Sequence, residues 1–261
     1  MKFSILISSF NKGRYIEDCI KSCLNQNYSN FEVILFDNLS TDQSNKIFKK
    51  YQNKIQIIKK KKVSNYSALN QIDLIRDAFE LSKGSIICLL DADDFFVSSK
   101  LDRLRKIFNS RSDINSIFDL PILRYRNNDS KFILKEKIQK YIWPSIIPTS
   151  GISCKRDFFQ FFINNSFPEN YNLLEIDFRL NVLSRNIDKK FKICEEDLTF
   201  YRQVDDGVMS SIKKFSPKWW TKRYQAHRFM SELYSEHNKN YDNNLDYYLS
   251  KFIFNITQKI K

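Results

Sequence analysis

The chain has 261 residues, 42% of them hydrophobic and 15% aromatic, with 43 Lys and Arg against 30 Asp and Glu for a formal net charge of +13. That length and apolar content suffice for one large α/β domain with an appendage, or two small domains, and exclude a disordered chain, while 4 Gly and 5 Pro argue against a β-sandwich or a low-complexity protein. The basic balance suits an anionic partner such as nucleic acid, lipid headgroups or a phosphorylated substrate, or else reflects a lysine-rich composition.

No apolar run approaches the ~20 residues of a membrane span. Met1-Lys2-Phe3-Ser4 enters a strand-like run directly, so no signal peptide is expected. The five cysteines, Cys19, Cys23, Cys88, Cys154 and Cys194, mostly lie in apolar runs where a thiol packs as a small hydrophobe. No CxxC pair exists, which argues against zinc and fits a reducing cytoplasm. The run Lys59–Lys62 reads as a solvated loop.

In chain order, Phe3–Ile7 reads as a strand, and Ser8–Asn11 as the loop after it. Tyr15, Ile16, Cys19, Ile20, Cys23 and Leu24 recur at spacings of three and four, which predicts an amphipathic helix. Phe31–Phe36 is a second strand ending in the polar loop Asp37–Asp42. Ser44–Tyr51 is a short helix, Ile55–Ile58 a third strand and Ser67–Leu81 a helix with Leu69, Ile72, Ile75, Ala78 and Phe79 inward. Gly84 is expected as its C′ residue. Strands alternating with helices imply βαβ units and a parallel sheet with right-handed crossovers. The loops after strands one, two and four then open on one edge, which brings Ser9, Asp37 and Asp91 together.

The fourth strand carries the clearest chemical signal. Ile86-Ile87-Cys88-Leu89-Leu90 runs straight into Asp91-Ala92-Asp93-Asp94. A continuous apolar run reads as a strand buried on both faces, and ligands of open α/β sheets bind beyond the carboxyl ends of such strands. Asp91 and Asp93 alternate and would share one side if the backbone stays extended. Clustered carboxylates need a cation, and a hard one, Mn²⁺ or Mg²⁺, would take oxygen ligands here and fill its other positions with water and a diphosphate. The alternative is a solvated acidic turn, with Asp94 or Ser98 capping the next helix.

These segments, taken together, resemble the family 2 inverting glycosyltransferases of GT-A fold. Ile5–Asn11 is similar to the family's opening strand and loop, with Ser8 where a proline is usual. Ser22–Tyr28 resembles its "S-l-l-x-Q-x-Y", Phe36–Ser44 its "D-D/N-x-S-T-D-x-S" loop, and Ser82–Asp94 its "L-D-x-D-D" strand end. The resemblance is specific over residues 1 to about 110. It implies that Ser9, Phe10 and Asn11 line the nucleotide base pocket and that Asp37 accepts hydrogen bonds from base or ribose. It further implies that Asp91 faces ribose or metal, with Ala92 beside it, and that Asp93 ligates the Mn²⁺ or Mg²⁺ bridging the diphosphate.

Farther along, Tyr171–Leu180 resembles the family's "E-D-x-D-L-x-L-R-L". Leu174 replaces the first acid, Glu175 stands at the position of the catalytic base, and Asp177 lies two beyond. A carboxylate base suits an inverting displacement; a helix N-terminus that favours acidic residues is the alternative. On a helix the two point roughly 200° apart, so only one can face an acceptor. Leu198–Asp206 resembles "l-x-x-Y-R-x-H", with Val204 in place of the histidine; Arg202 either meets the phosphates or pairs with a structural acid. Beyond Ser216, aromatic and apolar residues recur at helical spacing, first from Trp220 to Tyr234 and then from Leu245 to Ile260. They predict a helical hairpin whose aromatic stripes are core; the alternative is that its basic-aromatic cluster, Lys218, Trp219, Trp220, Lys222 and Arg223, docks on a membrane surface.

The expected organisation is a GT-A domain over 1–212, with a nucleotide-sugar half, 1–110, and an acceptor half, 111–212, followed by a C-terminal hairpin, 213–261. The expected activity is metal-dependent inverting transfer from a UDP-linked sugar to a glycan or lipid-linked acceptor in bacterial surface-polysaccharide assembly. The expected setting is the cytoplasm, with peripheral contact at the inner face of the plasma membrane. A non-catalytic nucleotide- or nucleic-acid-binding protein is disfavoured by the lack of an aromatic RNA-binding motif or zinc spacing. A nucleotidyltransferase would want a glycine-rich phosphate loop near the N-terminus, where only Gly13 stands.

Overall fold

The structure, a computed structural model, describes residues 1–61, 64–126, 128–134, 144–166, 168–204 and 212–259. Lys62, Asp205, Asp206 and Ile260, which figure in the motifs above, lie outside the described residues.

The first half alternates as its hydrophobic pattern requires: β1 (Phe3–Ser9), α1 (Ile16–Leu24), β2 (Phe31–Asp37), α2 (Ser44–Tyr51), β3 (Gln56–Lys59), α3 (Ser67–Leu81) and β4 (Ile86–Asp91). There follow β5 (Phe95–Phe96), α4 (Lys100–Ser110), β6 (Ser116–Asp119), β7 (Ile122–Arg124), β8 (Asp129–Lys131), β9 (Ile152–Lys155) and α5 (Arg156–Asn164). The chain continues with α6 (Ile176–Val182), β10 (Phe191–Cys194), β11 (Thr199–Arg202), α7 (Pro217–Glu236) and α8 (Leu245–Lys259).

Seven strands form the main sheet in the order β10-β6-β9-β4-β1-β2-β3, and β5-β11-β7-β8 form a second sheet. Strands β1, β2, β3 and β4 pair in parallel, and β9 runs antiparallel between β4 and β6. The register sets Ser9 opposite Asp37 and Ser8 opposite Asp91. The three strand ends therefore open on one edge, as their order in sequence implies.

The central strands are buried on both faces. Leu6, Ile87 and Leu89 face a core completed by α3, α5, α6 and α7. Phe3, Ile5, Ile7, Cys88 and Leu90 face one completed by α1, α2 and α4. The alternation is the period-2 pattern of a strand. All five cysteines are free and buried, packed as small apolar side chains.

Three local expectations are corrected. Gly84 does not adopt positive φ, and α3 ends instead on Ser82 in extended backbone. What excludes a side chain at Gly84 is the neighbouring strand: a Cβ there would lie 2.5 Å from the Ser4 amide nitrogen. Ser99, not Asp94 or Ser98, occupies the N-cap of α4, and it makes no capping bond. The stripe of α7 is core, with Ala226, Phe229, Met230 and Leu233 buried in the cluster that holds Tyr171 and Phe178. The stripe of α8 is not: Leu245, Tyr248, Leu249, Phe252 and Ile256 are exposed, because α8 packs on Tyr224 of α7 through Tyr247 and Phe254. Among the described residues no helix is long and apolar enough to cross a membrane.

Candidate active site

The loop after β1 and the loop after β2 are built as one unit. Asp37 is fully buried. Its two oxygens accept from the Ser40 amide at 2.8 Å and the Ser40 hydroxyl at 2.5 Å. The same hydroxyl accepts from the Asn11 amide at 2.8 Å, and the Asn11 side-chain oxygen accepts from the Thr41 amide at 2.8 Å. Asn11 has φ of 51°, a left-handed conformation that asparagine tolerates. Asp37 thus holds the loop through Ser40 rather than opening onto solvent. Phe10 is exposed at the rim, and Ser9 is buried with its hydroxyl unpartnered, leaving a polar group that a ligand could satisfy.

The carboxylates at the end of β4 part company. The backbone turns after Asp91 rather than continuing extended, so Asp93 and Asp94 leave by different routes. Asp91 accepts from Gln71 of α3 at 2.7 Å. Burial, with Asp93 and Asp177 close by, pushes its carboxyl up to about 7. Ala92 is buried. Asp93 pairs with Lys12 at 2.9 Å. Asp94 is the internal member: fully buried, it accepts from Ser150 at 2.5 Å and from the Arg202 amide at 2.8 Å. Burial and its two acidic neighbours raise it well above the ordinary carboxylate range.

Beneath this turn lies a polar network that residue patterns did not reveal. Lys100, fully buried, pairs with Asp119 at 2.8 Å and donates to Thr199 at 2.6 Å and the Ser150 carbonyl at 2.9 Å. Ser150 also accepts from the Asp91 amide at 3.0 Å, so the acid turn is fixed from below. Arg202 borders it: its guanidinium donates to the Asp93 carbonyl at 3.1 Å and pairs with Asp18 at 2.7 Å, over the rings of Phe95 and Tyr15. Val204 offers no metal-ligating group at the place of the family's histidine.

Glu175 and Asp177 stand at the start of α6. Glu175 occupies the N-cap position without capping the helix; its carboxylate pairs with Lys222 of α7 at 2.6 Å. It lines a small pocket with Asn65, Tyr66, Asn172, Leu173 and Lys218. Asp177 accepts from the Phe178 amide at 2.6 Å, and burial, with Glu175 beside it, pushes its carboxyl up to about 7. Its charge acts on Asp91. Asp177 is therefore the acid whose charge reaches Asp91, and Glu175 the one on the pocket. Tyr201, the residue before Arg202 in its motif, is raised by burial and by Asp94, Asp91, Asp177 and Asp93 around it. A larger groove of about 660 Å³ lies along α7 between Tyr224, Arg228 and Glu232 and contains none of these acids.

For a metal, the donor set is of the right kind. Asp91 and Asp93 are hard oxygen ligands, and Mg²⁺ or Mn²⁺ is often held by one or two carboxylates plus substrate phosphates. Lys12 supplies Asp93 with the positive charge that such an ion would bring. Among the described residues no three acids, histidines or cysteines converge as a preformed metal cage.

The arrangement matches known proteins. The chain is 27% identical over 228 residues to an uncharacterized glycosyltransferase of Methanocaldococcus jannaschii, covering 81% of this chain and 74% of that one. It is 28% identical over 117 residues to the poly(ribitol-phosphate) beta-N-acetylglucosaminyltransferase TarS of Staphylococcus aureus, covering 44% of this chain and 20% of TarS. The chain spans 38%, 74% and 24% of the length of three such relatives. Its fold superposes on TarS residues 1–349 solved with UDP-GlcNAc, with a TM-score of 0.67 at 15% identity over 97% of this chain and 70% of that one. It also superposes on a mannosyltransferase of Pyrobaculum calidifontis solved with GDP-Man and Mn²⁺, with a TM-score of 0.56 at 13% identity over 99% and 73%. The model of the glycosyl transferase family 2 matches residues 4–157, more than half of the sequence and all of the strands that carry the acid turn, so the chain belongs to that family and has its GT-A fold.

Proposed function

We propose that the chain is a metal-dependent inverting glycosyltransferase. It moves a sugar from a nucleotide-sugar donor, UDP-linked, to a glycan or lipid-linked acceptor in bacterial surface-polysaccharide assembly. The observation that carries the reading is the pairing of two carboxylate sets: the acid turn at the end of β4, and the α6 N-terminus, where the charge of Asp177 reaches Asp91 and Glu175 lines a pocket. TarS, solved with UDP-GlcNAc and named for a glycopolymer acceptor, supports the choice of donor and acceptor class. The Mn²⁺ in the mannosyltransferase supports the metal.

Asp91 and Asp93 would hold Mn²⁺ or Mg²⁺, which when bound neutralises the diphosphate and stabilises it as a leaving group. Ser9, Phe10 and Asn11 line the nucleoside side, with Asp37 fixing their loop. Glu175 removes the acceptor hydroxyl proton as that oxygen attacks the anomeric carbon. The bond to the diphosphate oxygen breaks on the opposite face, its electron pair leaving with the nucleotide, and configuration inverts. Arg202, at the edge of the turn, faces the phosphates. We assign residues 1–110 to donor binding, 111–212 to the acceptor side and 213–261 to the hairpin. Phe215, 63% exposed beside Trp219 and Trp220 and flanked by Lys213, Lys214 and Lys218, supports peripheral contact with a membrane surface.

A thermal-shift screen of nucleotide sugars with and without Mn²⁺ tests the reading, since a ligand of the native state raises Tm. A stabilisation by UDP-sugars that requires Mn²⁺ is expected. Stabilisation by random oligonucleotides, with none by any nucleotide sugar, would overturn it.

A further inference from the structure

Helix α7 reads the segment before α6 almost residue by residue. Lys222 donates to Glu175 at 2.6 Å. Gln225 accepts from the Leu173 amide at 2.9 Å and donates to the Asn172 side chain at 2.9 Å. Phe229 packs edge-on against Tyr171 and also meets Phe178, and Glu232 accepts from the Tyr171 hydroxyl. Positions 222, 225, 229 and 232 are spaced three, four and three apart, so they lie on one face of the helix. From the other side Arg179, fully buried, donates to the carbonyls of Tyr171 and Leu174. The five residues that end in Glu175 are thus clamped between a buried guanidinium and the C-terminal hairpin.

The geometry at Glu175 shows what the clamp does to the carboxylate. An acid at an N-cap can turn back to the free amides of its own helix, yet Glu175 makes no such bond. Its carboxylate is drawn instead to Lys222, both side chains being largely buried, at 11% and 16% exposure. A charge pair this shielded, with a short hydrogen bond, fixes a rotamer far better than an exposed one.

We propose that Lys222 is a positioning residue for the base: its ammonium turns the Glu175 carboxylate away from α6 and holds it at the pocket formed with Tyr66, Asn172 and Lys218. This rests on Glu175 being the base. The hairpin that carries Lys222 is then a working part of the acceptor side rather than an appendage.

The test is nucleotide release from UDP-GlcNAc and GDP-mannose with Mn²⁺ and water as acceptor, compared among the parent, Glu175→Gln, Lys222→Met, Lys222→Arg and the double variant Glu175→Gln/Lys222→Met. The proposal predicts that Lys222→Met loses about 10–100-fold in kcat with donor KM unchanged, the scale of a misplaced catalytic group. Lys222→Arg should recover most of the rate, and the double variant should be no slower than Glu175→Gln alone, because both changes act on one group. Should Lys222→Met fail to fold, Lys222→Gln, which keeps a hydrogen bond without the charge, is read in its place. A parental kcat in the charge-less variant, or losses that add in the double variant over the residual activity of Glu175→Gln, would overturn the role of Lys222 and leave the base in place. Full activity in Glu175→Gln, or no release by the parent from either donor, would overturn the reading beneath it.

Discussion

The two sides of this site are built in different ways. On the proposed donor side each assigned group follows a buried strand by a few residues, and its partners are near it in sequence or on the next strand: Asp37 with Ser40, Asn11 with Thr41, Asp93 with Lys12. On the acceptor side the groups come from distant segments. Glu175 is paired with Lys222, 47 residues on, and Tyr171 donates to Glu232, 61 residues on. A parallel sheet places strand-end loops by topology alone, so a donor site can be written in short motifs. The proposed acceptor side depends on packing between elements that no local pattern links.

The largest effect is expected from removing the proposed base. Glu175→Gln should keep donor and metal binding and lower turnover by about 10²–10⁴-fold, the range for losing a positioned base, while Asp177→Asn should act mainly through stability or acceptor binding. Turnover of both at matched donor saturation decides it. Collapse in Asp177→Asn with near-normal Glu175→Gln would move the role to the acid nearer Asp91.

Next in size is the floor under the acid turn. Lys100→Met leaves Asp119 buried without its cation and should destabilise by about 3–5 kcal/mol, read as the urea midpoint. A loss below about 1 kcal/mol, within reach of an exposed pair, would mean that the network is not what fixes the turn. Asp37→Ala should be milder. It removes the loop's anchor and should weaken nucleoside and nucleotide-sugar binding alike by about 1–3 kcal/mol, with or without metal. An unchanged nucleoside affinity would remove Asp37 from the donor side.

The smallest effect is one of pH. Asp91 and Asp177 are raised to about 7 by burial and by acidic neighbours. Because the folded protein holds these protons more tightly than the unfolded chain does, their contribution to stability is present below about pH 4 and lost as pH rises through about 7. Metal binding requires the ionised form, so apparent Mn²⁺ affinity should rise over the same window in which the metal-free protein loses stability. Opposite pH slopes in the two measurements are expected; parallel slopes would count against Asp91 as a ligand.

Much of the fold was legible because its signal is local. The spacing of Ile16, Cys19, Ile20 and Cys23 and the unbroken run Ile86–Leu90 are each sufficient to place an element, and strand order then brings Ser9, Asp37 and Asp91 to one edge. Strands β6 to β11 carry no such signal, being three or four residues long. Gly84 misled because a glycine after a helix suggests a C′ residue, whereas here it admits Ser4 of the adjacent strand. Asp94 looked like a cap because a buried acid and a solvated one are the same letter; only Ser150 and the Arg202 amide distinguish them. Lys100, Lys12 and Lys222 were unreadable for the opposite reason: in a chain with 43 basic residues, nothing marks a lysine as internal except the acid it meets.

The claim at the centre, that the β4 turn binds donor through metal while α6 supplies the base, is tested most directly by calorimetric titration of UDP-GlcNAc with and without Mn²⁺ into the parent, Asp93→Asn and Glu175→Gln. Mn²⁺ is expected to strengthen binding in the parent and in Glu175→Gln, and Asp93→Asn to abolish this metal-dependent part. Metal-dependent binding that survives intact in Asp93→Asn would contradict it.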